Sequence, residues 1–439
     1  MSLLRIGRGL GLAAFSSATL APAAFAATDS GDTAWILAST ALVLLMTLPG
    51  LALFYGGLVQ SKNVLSVLSQ CVGIACLVSI LWLVCGYSLA FGDGGAVNGF
   101  WGGFGKSFLA GVAADAESGT IPETVFFMFQ MTFAIITPAL IVGAYPERTS
   151  FGGVLLFSGL WVLFVYAPVC HWVWGGGWLG GVEIGGESVA VRDFAGGLVV
   201  HATAGASALL FAHLVGRREH FPHDMRPPHS PVLVMIGAAL LWVGWYGFNA
   251  GSALGAGPDA GRAMLVTHIS ASTAALVWMG IEWIKFGRPG LVGGVTGIIA
   301  GLATITPAAG SVGPVGALII GAASSIICFY AVTLVRGKAK LDDSLDVFAV
   351  HGVGGILGTL LIPFLANLGP LAPGLDGVSI GAQFQVQALG VVAVVAYSLV
   401  LTFVIYHVVN LVTKMRVKSD AEVEGLDPAE HGERGYHYG

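Results

Sequence analysis

The segment DFAGGLVVHATAG, residues 193–205, places one histidine, His201, inside an apolar run that begins with an aspartate. A second segment, DVFAVHGVGG at residues 346–355, repeats this arrangement around His351. Both contain the pattern V-H-x-x-x-G, in which the glycine follows the histidine by one helical turn. Ionisable side chains inside apolar runs of membrane length are costly and are usually functional. The repeated histidine therefore indicates a membrane protein with a functional interior.

The rest of the chain has the composition of a helical membrane protein. Its 439 residues are 56% hydrophobic and only 10% charged. Long apolar blocks recur, whereas a transmembrane β-barrel shows short alternating segments. We predict an all-α polytopic fold with eleven transmembrane helices. The predicted spans are 33–56, 63–91, 121–144, 149–172, 195–216, 231–250, 262–284, 290–308, 313–336, 346–367 and 385–412.

The positively charged loops predict the orientation of the chain. Ten Lys and Arg residues fall in one set of alternate loops, and three, Lys106, Arg192 and Arg262, fall in the other. Positively charged loops stay in the cytoplasm, which predicts an N-out, C-in topology. Residues 1–26 combine two arginines, an apolar stretch and a small-x-small site, and this predicts a cleaved signal peptide. The alternative is an additional helix retained in the membrane. The net charge of −5 is dispersed and indicates no nucleic-acid partner.

The two histidines stand five spans apart, in helices predicted to enter the membrane from opposite sides. Inverted five-helix repeats, related by a pseudo-twofold axis in the membrane plane, would bring His201 and His351 face to face. A neutral imidazole offers one hydrogen-bond donor and one acceptor. Such a pair suits a small polar solute or a proton relay. Haem ligation by the two histidines is an alternative, and hydrogen bonding within a packed bundle is the plain structural explanation.

Aromatic side chains gather near the predicted extracellular ends of several spans. Phe129 and Phe133 are four residues apart and share a helix face, and Trp174 follows the next span. An interfacial aromatic belt explains such residues, and a cation site made of ring faces is the alternative.

The sixth predicted span reads WVGWYGFNAGSAL and sets larger side chains among glycines that allow close helix packing. Trp245, Phe248 and Ser252 are placed there to line a space. The chain contains no nucleotide-binding loop or nucleophile triad, and its five cysteines lack metal-ligand spacing. We predict no enzyme activity, no cofactor and no metal.

From Trp35 to Tyr438 the sequence resembles the Amt/Mep/Rh ammonium transporter family, and its bacterial Amt branch in particular. The motifs, besides the segment at 193–205, are PGLALFYGGLV, FQMTFAIITPALIVGAYPER, HWVWGGGWL, WVGWYGFNAGSAL, DDSLDVFAVHGVGG and GLDPAEHGERGY. The resemblance implies a transmembrane domain over residues 27–413, built of two inverted halves. It also implies a homotrimer in the bacterial inner membrane, with one pore per subunit that passes ammonium, ammonia or methylammonium.

The resemblance assigns roles to individual residues. The residues similar to the family's extracellular recruitment site for ammonium are Phe129, Phe133, Trp174 and Ser252. Phe133 and Phe248 resemble its stacked phenyl gate. The twin pore histidines correspond to His201 and His351, and a pore-lining aromatic to Trp245. Asp193 resembles a buried acidic residue with a structural role.

The C-terminal segment, residues 414–439, is predicted to lie in the cytoplasm. Its mixed charges are typical of a solvated, disordered tail. The motif GLDPAEHGERGY resembles the family's regulatory segment, which packs across subunits and in many bacteria meets a PII signalling protein. An ammonium sensor with little flux is the alternative function within the same family.

Overall fold

The structure is a computed structural model and describes residues 28–219, 221–222 and 226–437. The predicted signal peptide at 1–26 lies outside these residues. Within the described part of the chain, eleven helices are long and apolar enough to cross a membrane, as predicted. They are α1 (Ser30–Leu58), α2 (Ser61–Phe91), α3 (Glu123–Ala144), α4 (Phe151–Gly180), α5 (Gly197–Val215), α6 (Pro231–Ala250), α7 (Pro258–Phe286), α8 (Leu291–Ala308), α9 (Pro314–Lys338), α10 (Phe348–Leu365) and α11 (Ile380–Val412).

Four helices, α1, α2, α7 and α11, begin earlier than predicted, and the largest differences are at α7 and α11. α7 begins at Pro258 rather than at residue 262, and α11 begins at Ile380 rather than at residue 385. Proline suits the first turn of a helix because the N–H group that it lacks would have no partner there. At α11 the hydroxyl of Ser379 accepts the N–H of Ala382 at 3.1 Å, which caps the helix. Both signals precede the apolar run, so hydropathy alone does not locate them.

Two short hairpins mark one end of the helix bundle. β1 (Glu117–Ser118) pairs antiparallel with β2 (Ile121–Pro122), and β3 (Val182–Ile184) pairs antiparallel with β4 (Glu187–Val189). The second hairpin occupies the long connection between α4 and α5 and packs against α11. We call this end the hairpin side, and the opposite end, which carries residues 413–437, the tail side.

Turns of π-helix begin α5 and α10 and end α6, the helices that carry three of the predicted site residues. Such turns widen the helix locally and are frequent at functional sites. The three turns and the residues within them are Gly197–Ala202 with His201, Tyr246–Ala250 with Phe248, and Phe348–Gly352 with His351.

The two helices that carry the histidines, α5 and α10, cross at glycines. A Cβ atom added to Gly205 would lie 2.3 Å from the Cα of Gly352, and one added to Gly355 would lie 2.8 Å from the Cβ of His201. These separations leave no room for a side chain, so the crossing requires glycine. The glycine of each V-H-x-x-x-G pattern therefore allows the opposite helix to approach.

On the tail side a buried arginine joins three loops. Arg148 donates to the carbonyl groups of Ala144, Gly216 and Asp342 at 3.0, 2.9 and 2.8 Å. Arg218 forms an ion pair with Asp342 at 2.8 Å. Because Arg148, Gly216 and Asp342 belong to the α3–α4, α5–α6 and α9–α10 connections, the network ties these three connections together at this end.

The C-terminal segment packs against its own chain on the tail side. A short helix, α12 (Ser419–Glu424), and a further helical turn follow α11. The carboxylate of Asp427 accepts the N–H of Ser66 at 2.8 Å, and the side-chain oxygen of Asn63 accepts the N–H of Leu426 at 2.7 Å. The tail and the start of α2 therefore cap each other. These contacts give the segment a defined conformation, whereas its mixed charges predicted a solvated, disordered tail.

Candidate functional site

His201 and His351 face each other in the interior of the bundle. Their Nδ1 atoms are 3.3 Å apart, and their ring planes differ by 25°. Both side chains are buried. At this distance one ring donates its N–H group and the other accepts it. The Nε2 atom of His201 has no hydrogen-bond partner among the described residues, so it remains available to a solute.

Asp193 caps the helix that carries His201. Its two carboxylate oxygens accept four backbone N–H groups, those of residues 196–199, at 2.6 to 3.0 Å. The first N–H groups of a helix have no partner within the helix, and a carboxylate is favoured there by the helix dipole. Burial raises the pKa of Asp193, while the four N–H donors oppose that rise. The carboxylate of Asp193 therefore contacts the start of α5, and Asp193 does not line the lumen.

Asp343 stands before α10 as Asp193 stands before α5. Asp343 precedes His351 by eight residues, the same spacing that separates Asp193 from the first histidine. Its carboxylate accepts two backbone N–H groups at the start of α10, at 3.1 and 2.7 Å. Matching Asp193 to Asp346 from the sequence is therefore wrong. Asp346 corresponds to Gly196, and both have positive φ angles, of 62° and 111°.

Four aromatic rings form one cluster toward the hairpin side of the histidines. Phe133 on α3 and Phe248 on α6 stack with their centroids 4.2 Å apart and their planes 23° apart. Phe129 contacts Phe133 edge-on at 5.0 Å, and Trp174 does so at 6.0 Å. Stacked and edge-to-face contacts of this kind are the favoured aromatic geometries. Phe133 thus belongs both to the stacked pair and to the ring cluster beside it.

Hydrogen bonds to the backbone orient the two polar groups of this cluster. The indole N–H of Trp174 donates to the carbonyl of Asp193 at 2.8 Å. The hydroxyl of Ser252 donates to the carbonyl of Phe248 at 2.8 Å, which leaves the oxygen of Ser252 as an acceptor for another group. The glycine before Ser252 packs against the ring of Phe129.

A narrow apolar lumen adjoins Phe248 and the two histidines. Its volume is about 10 Å³, which is roughly the space for one water molecule. Trp245 stacks on His201 with centroids 5.5 Å apart, and its indole N–H donates to Thr306 at 2.9 Å. The other lining residues are Met46, Leu51, Phe54, Ile136, Leu140, Val200, Leu241 and Ile299.

His351 also lines a second, larger cavity of about 210 Å³ toward the tail side. Charged groups enter its wall, among them Arg218 and an ion pair between Arg336 and Asp346 at 2.6 Å. His351 therefore lies between an apolar lumen on one side and a cavity with charged walls on the other.

The haem alternative does not fit this geometry. A haem held by His201 and His351 needs space for a porphyrin beside the two rings. The lumen beside the rings has a volume of only about 10 Å³, which leaves no room for a porphyrin. The two rings instead contact each other at hydrogen-bonding distance.

Eleven helices long and apolar enough to cross a membrane, packed around a narrow apolar lumen, define a multi-pass membrane protein of the transporter class. The chain matches the model of the Ammonium Transporter Family over residues 34–436. It is 44% identical over 433 residues to an ammonium transporter of Aquifex aeolicus, and the match covers 98% of each chain. The chain belongs to the ammonium transporter family.

Solved structures of the family share the fold. A protein named Sensor Amt Protein has a TM-score of 0.83 and 30% identity, with 91% of this chain and 98% of that chain covered. Mep2 of Candida albicans has a TM-score of 0.80 and 34% identity, with 90% and 87% covered.

Proposed function

We propose that the chain carries ammonium nitrogen across the bacterial inner membrane through a pore in each subunit. The observation that supports this most strongly is the order of the side chains along the path. A ring cluster is followed by the stacked Phe133 and Phe248, then by the apolar lumen and the pair of histidines. In this proposal the hairpin side is extracellular and the tail side is cytoplasmic.

Ammonium is recruited among the rings of Phe129, Phe133 and Trp174, beside Ser252. Aromatic ring faces attract a cation, but this attraction alone does not separate ammonium from potassium. Ammonium donates hydrogen bonds, whereas a metal cation has no N–H group, so the free acceptor of Ser252 favours ammonium. Methylammonium retains three N–H groups and serves as an analogue substrate.

The nitrogen passes the lumen as ammonia. A cation in a space of about 10 Å³ with apolar walls would lose its hydration without compensation, and this cost is high. Ammonia carries no net charge. A side-chain rotation of Phe133 or Phe248 opens the gate, and the imidazoles of His201 and His351 supply hydrogen-bonding groups along the wall. The same pair suits either the guidance of ammonia or the relay of the released proton.

The family resemblance extends the proposal to assembly and control. The mature chain, without residues 1–26, forms a homotrimer, and residues 414–439 regulate it, with a PII signalling protein as partner. A contact of the tail supports this role: the carboxylate of Glu430 accepts the N–H of Phe151 at 3.0 Å. Phe151 begins α4, and Trp174 lies near the other end of that helix. The tail is thus connected through one helix to the recruitment site.

A sensor that binds ammonium but passes little of it is the second candidate. The similarity to a structure named Sensor Amt Protein favours it. Both functions need the ring cluster, and only transport needs flux, so vesicles that contain the purified protein distinguish them. A wild-type protein that binds methylammonium without accumulating it supports the sensor.

The test of the recruitment site compares two tryptophans. Trp174→Leu removes a ring face and its hydrogen bond, and we expect the KM for methylammonium uptake into proteoliposomes to rise about tenfold. Trp283→Leu is the matched control, because Trp283 is 64% exposed on the outer surface of α7. Equal KM values for the two variants contradict the recruitment site.

A further inference from the structure

The segment HWVWGGGW, residues 171–178, holds a neighbouring loop in addition to presenting Trp174. Three consecutive carbonyl groups of the α2–α3 connection accept hydrogen bonds from this segment. They are Asn98 from the His171 ring at 2.6 Å, Gly99 from the Trp178 N–H at 3.0 Å, and Phe100 from the Trp172 indole at 3.0 Å. The backbone of this hairpin-side loop is therefore fixed to the end of α4.

The ring of His171 differs from the other two anchors because both of its nitrogens face carbonyl oxygens. Nδ1 is 2.9 Å from the oxygen of Ala90, and Nε2 is 2.6 Å from the oxygen of Asn98. A carbonyl oxygen only accepts, so both bonds form only if both nitrogens donate. A neutral imidazole has one N–H group, whereas an imidazolium has two. These are the hydrogen-bond partners of the ring within the part of the chain that the structure describes.

The place of His171 in its helix also suits a cation. The α-helical part of α4 ends at Val173, and His171 lies in its last turn. The carbonyl groups of a last turn carry partial negative charge, which favours a cation there. Burying a charge is costly. Two charge-assisted hydrogen bonds, each stronger than a neutral one, offset that cost.

We propose that His171 is a positioning residue that, as an imidazolium, ties the α2–α3 loop to α4 and so holds Trp174 in place. Trp174 follows three residues later, and its backbone N–H donates to the carbonyl of Cys170 at 2.8 Å. When the His171 anchor is lost, the loop and the end of α4 loosen together, and the indole moves away from Phe133. The consequence for Trp174 rests on the proposed function, but the protonation of the ring does not.

The protonation is tested by NMR of the wild-type protein in lipid nanodiscs near neutral pH, with the histidine rings labelled with ¹⁵N. The His171 signals are assigned by their loss in His171→Gln. We expect both ring nitrogens of His171 to give signals of protonated N–H groups. A His171 ring with one unprotonated nitrogen overturns the proposal. This measurement uses the wild-type protein and no transport assay.

The positioning role is tested by methylammonium uptake into proteoliposomes. Glutamine donates from one amide nitrogen only and lacks the charge, so in His171→Gln we expect KM to rise about tenfold at a nearly unchanged maximal rate. His213→Gln, which alters an exposed histidine of α5, keeps the wild-type KM. A wild-type KM in His171→Gln overturns the positioning role. A wild-type protein without uptake instead contradicts the proposed function, and the NMR result then still decides the protonation.

Discussion

Asp343 lies at the start of α10 and caps the helix that carries His351. Burial raises its pKa to about 7, and the nearby charge of Asp346 contributes to this rise. An aspartate in an unfolded chain has a pKa of about 4. Between these values the folded protein binds a proton that the unfolded chain does not, so this group makes the protein less stable as the pH rises from about 4 to about 7.

The variant Asp343→Asn removes this ionisation. We expect a smaller decrease in Tm between about pH 5 and about pH 7.5 than in the wild type, because asparagine stays neutral throughout. Thermal unfolding in detergent, followed by intrinsic fluorescence, measures it. Asp376→Asn is the control, since the side chain of Asp376 is 80% exposed, and it keeps the wild-type profile. An Asp343→Asn protein with the wild-type slope contradicts the role of the buried carboxylate.

At the scale of single residues, the sequence identifies the candidate site residues more reliably than it identifies their hydrogen-bond partners. His201 and His351 stand out because ionisable groups are rare in apolar spans. Asp343 escapes detection because Asp346 also precedes the second histidine and is nearer to it. The equal spacing of eight residues was a usable signal. The hydrogen bond from Trp174 to a backbone carbonyl follows no sequence pattern, because it depends on the path of the chain between α4 and α5.

The crossing of α5 and α10 determines how closely the two histidines approach. In Gly205→Ala the added methyl group would meet the backbone of Gly352 at 2.3 Å, so the helices must separate. We expect a loss of stability of about 1 to 3 kcal/mol, as is typical of overpacked sites. Chemical unfolding in detergent measures this loss.

The matched control is Gly261→Ala on α7, where an added Cβ meets nothing within 4 Å. Alanine favours helix over glycine, so this variant is unchanged or more stable by up to about 1 kcal/mol. If Gly205→Ala is as stable as Gly261→Ala, the close crossing of α5 and α10 does not contribute to the stability of the protein.

The tail is held to α2 by the reciprocal caps of Asp427 and Asn63. Asp427→Ala removes one cap, which is typically worth about 1 kcal/mol, and we expect trypsin to cleave at Lys418 or Arg434 about fivefold faster. Asp420→Ala, which alters an exposed carboxylate of α12, keeps the wild-type rate. Identical cleavage of both variants shows that the Asp427 cap does not hold the tail.

Among the elements, long apolar helices are the most predictable and short polar segments the least. Hydropathy locates all eleven spans because each one must match the thickness of the membrane. The hairpin of β3 and β4 is missed because each of its strands is only three residues long, too short for an alternating pattern to stand out. The docking of the tail is missed because Asp427 caps a helix 361 residues away in the chain, and no local pattern indicates such a partner.

For the whole molecule, the composition alone predicts a polytopic helical protein, and the number of spans follows from it. The inverted relation of the halves and the N-out, C-in orientation stay predictions. The matched spacing of Asp193 and Asp343 to their histidines supports the relation between the halves, as do the π-helical turns around both histidines. The apolar lumen was not readable from the sequence, because residues of six packed helices line it.

The claim that the nitrogen crosses the bundle past the paired histidines is tested by uptake of labelled methylammonium into proteoliposomes. His351→Leu replaces the imidazole with an apolar side chain of similar size and so removes its hydrogen-bonding groups, and His407→Leu alters an exposed histidine of α11. We predict that wild-type and His407→Leu vesicles accumulate the label at equal rates, and that His351→Leu vesicles do so at least about tenfold more slowly. Equal uptake by all three proteins contradicts a path through the histidine pair.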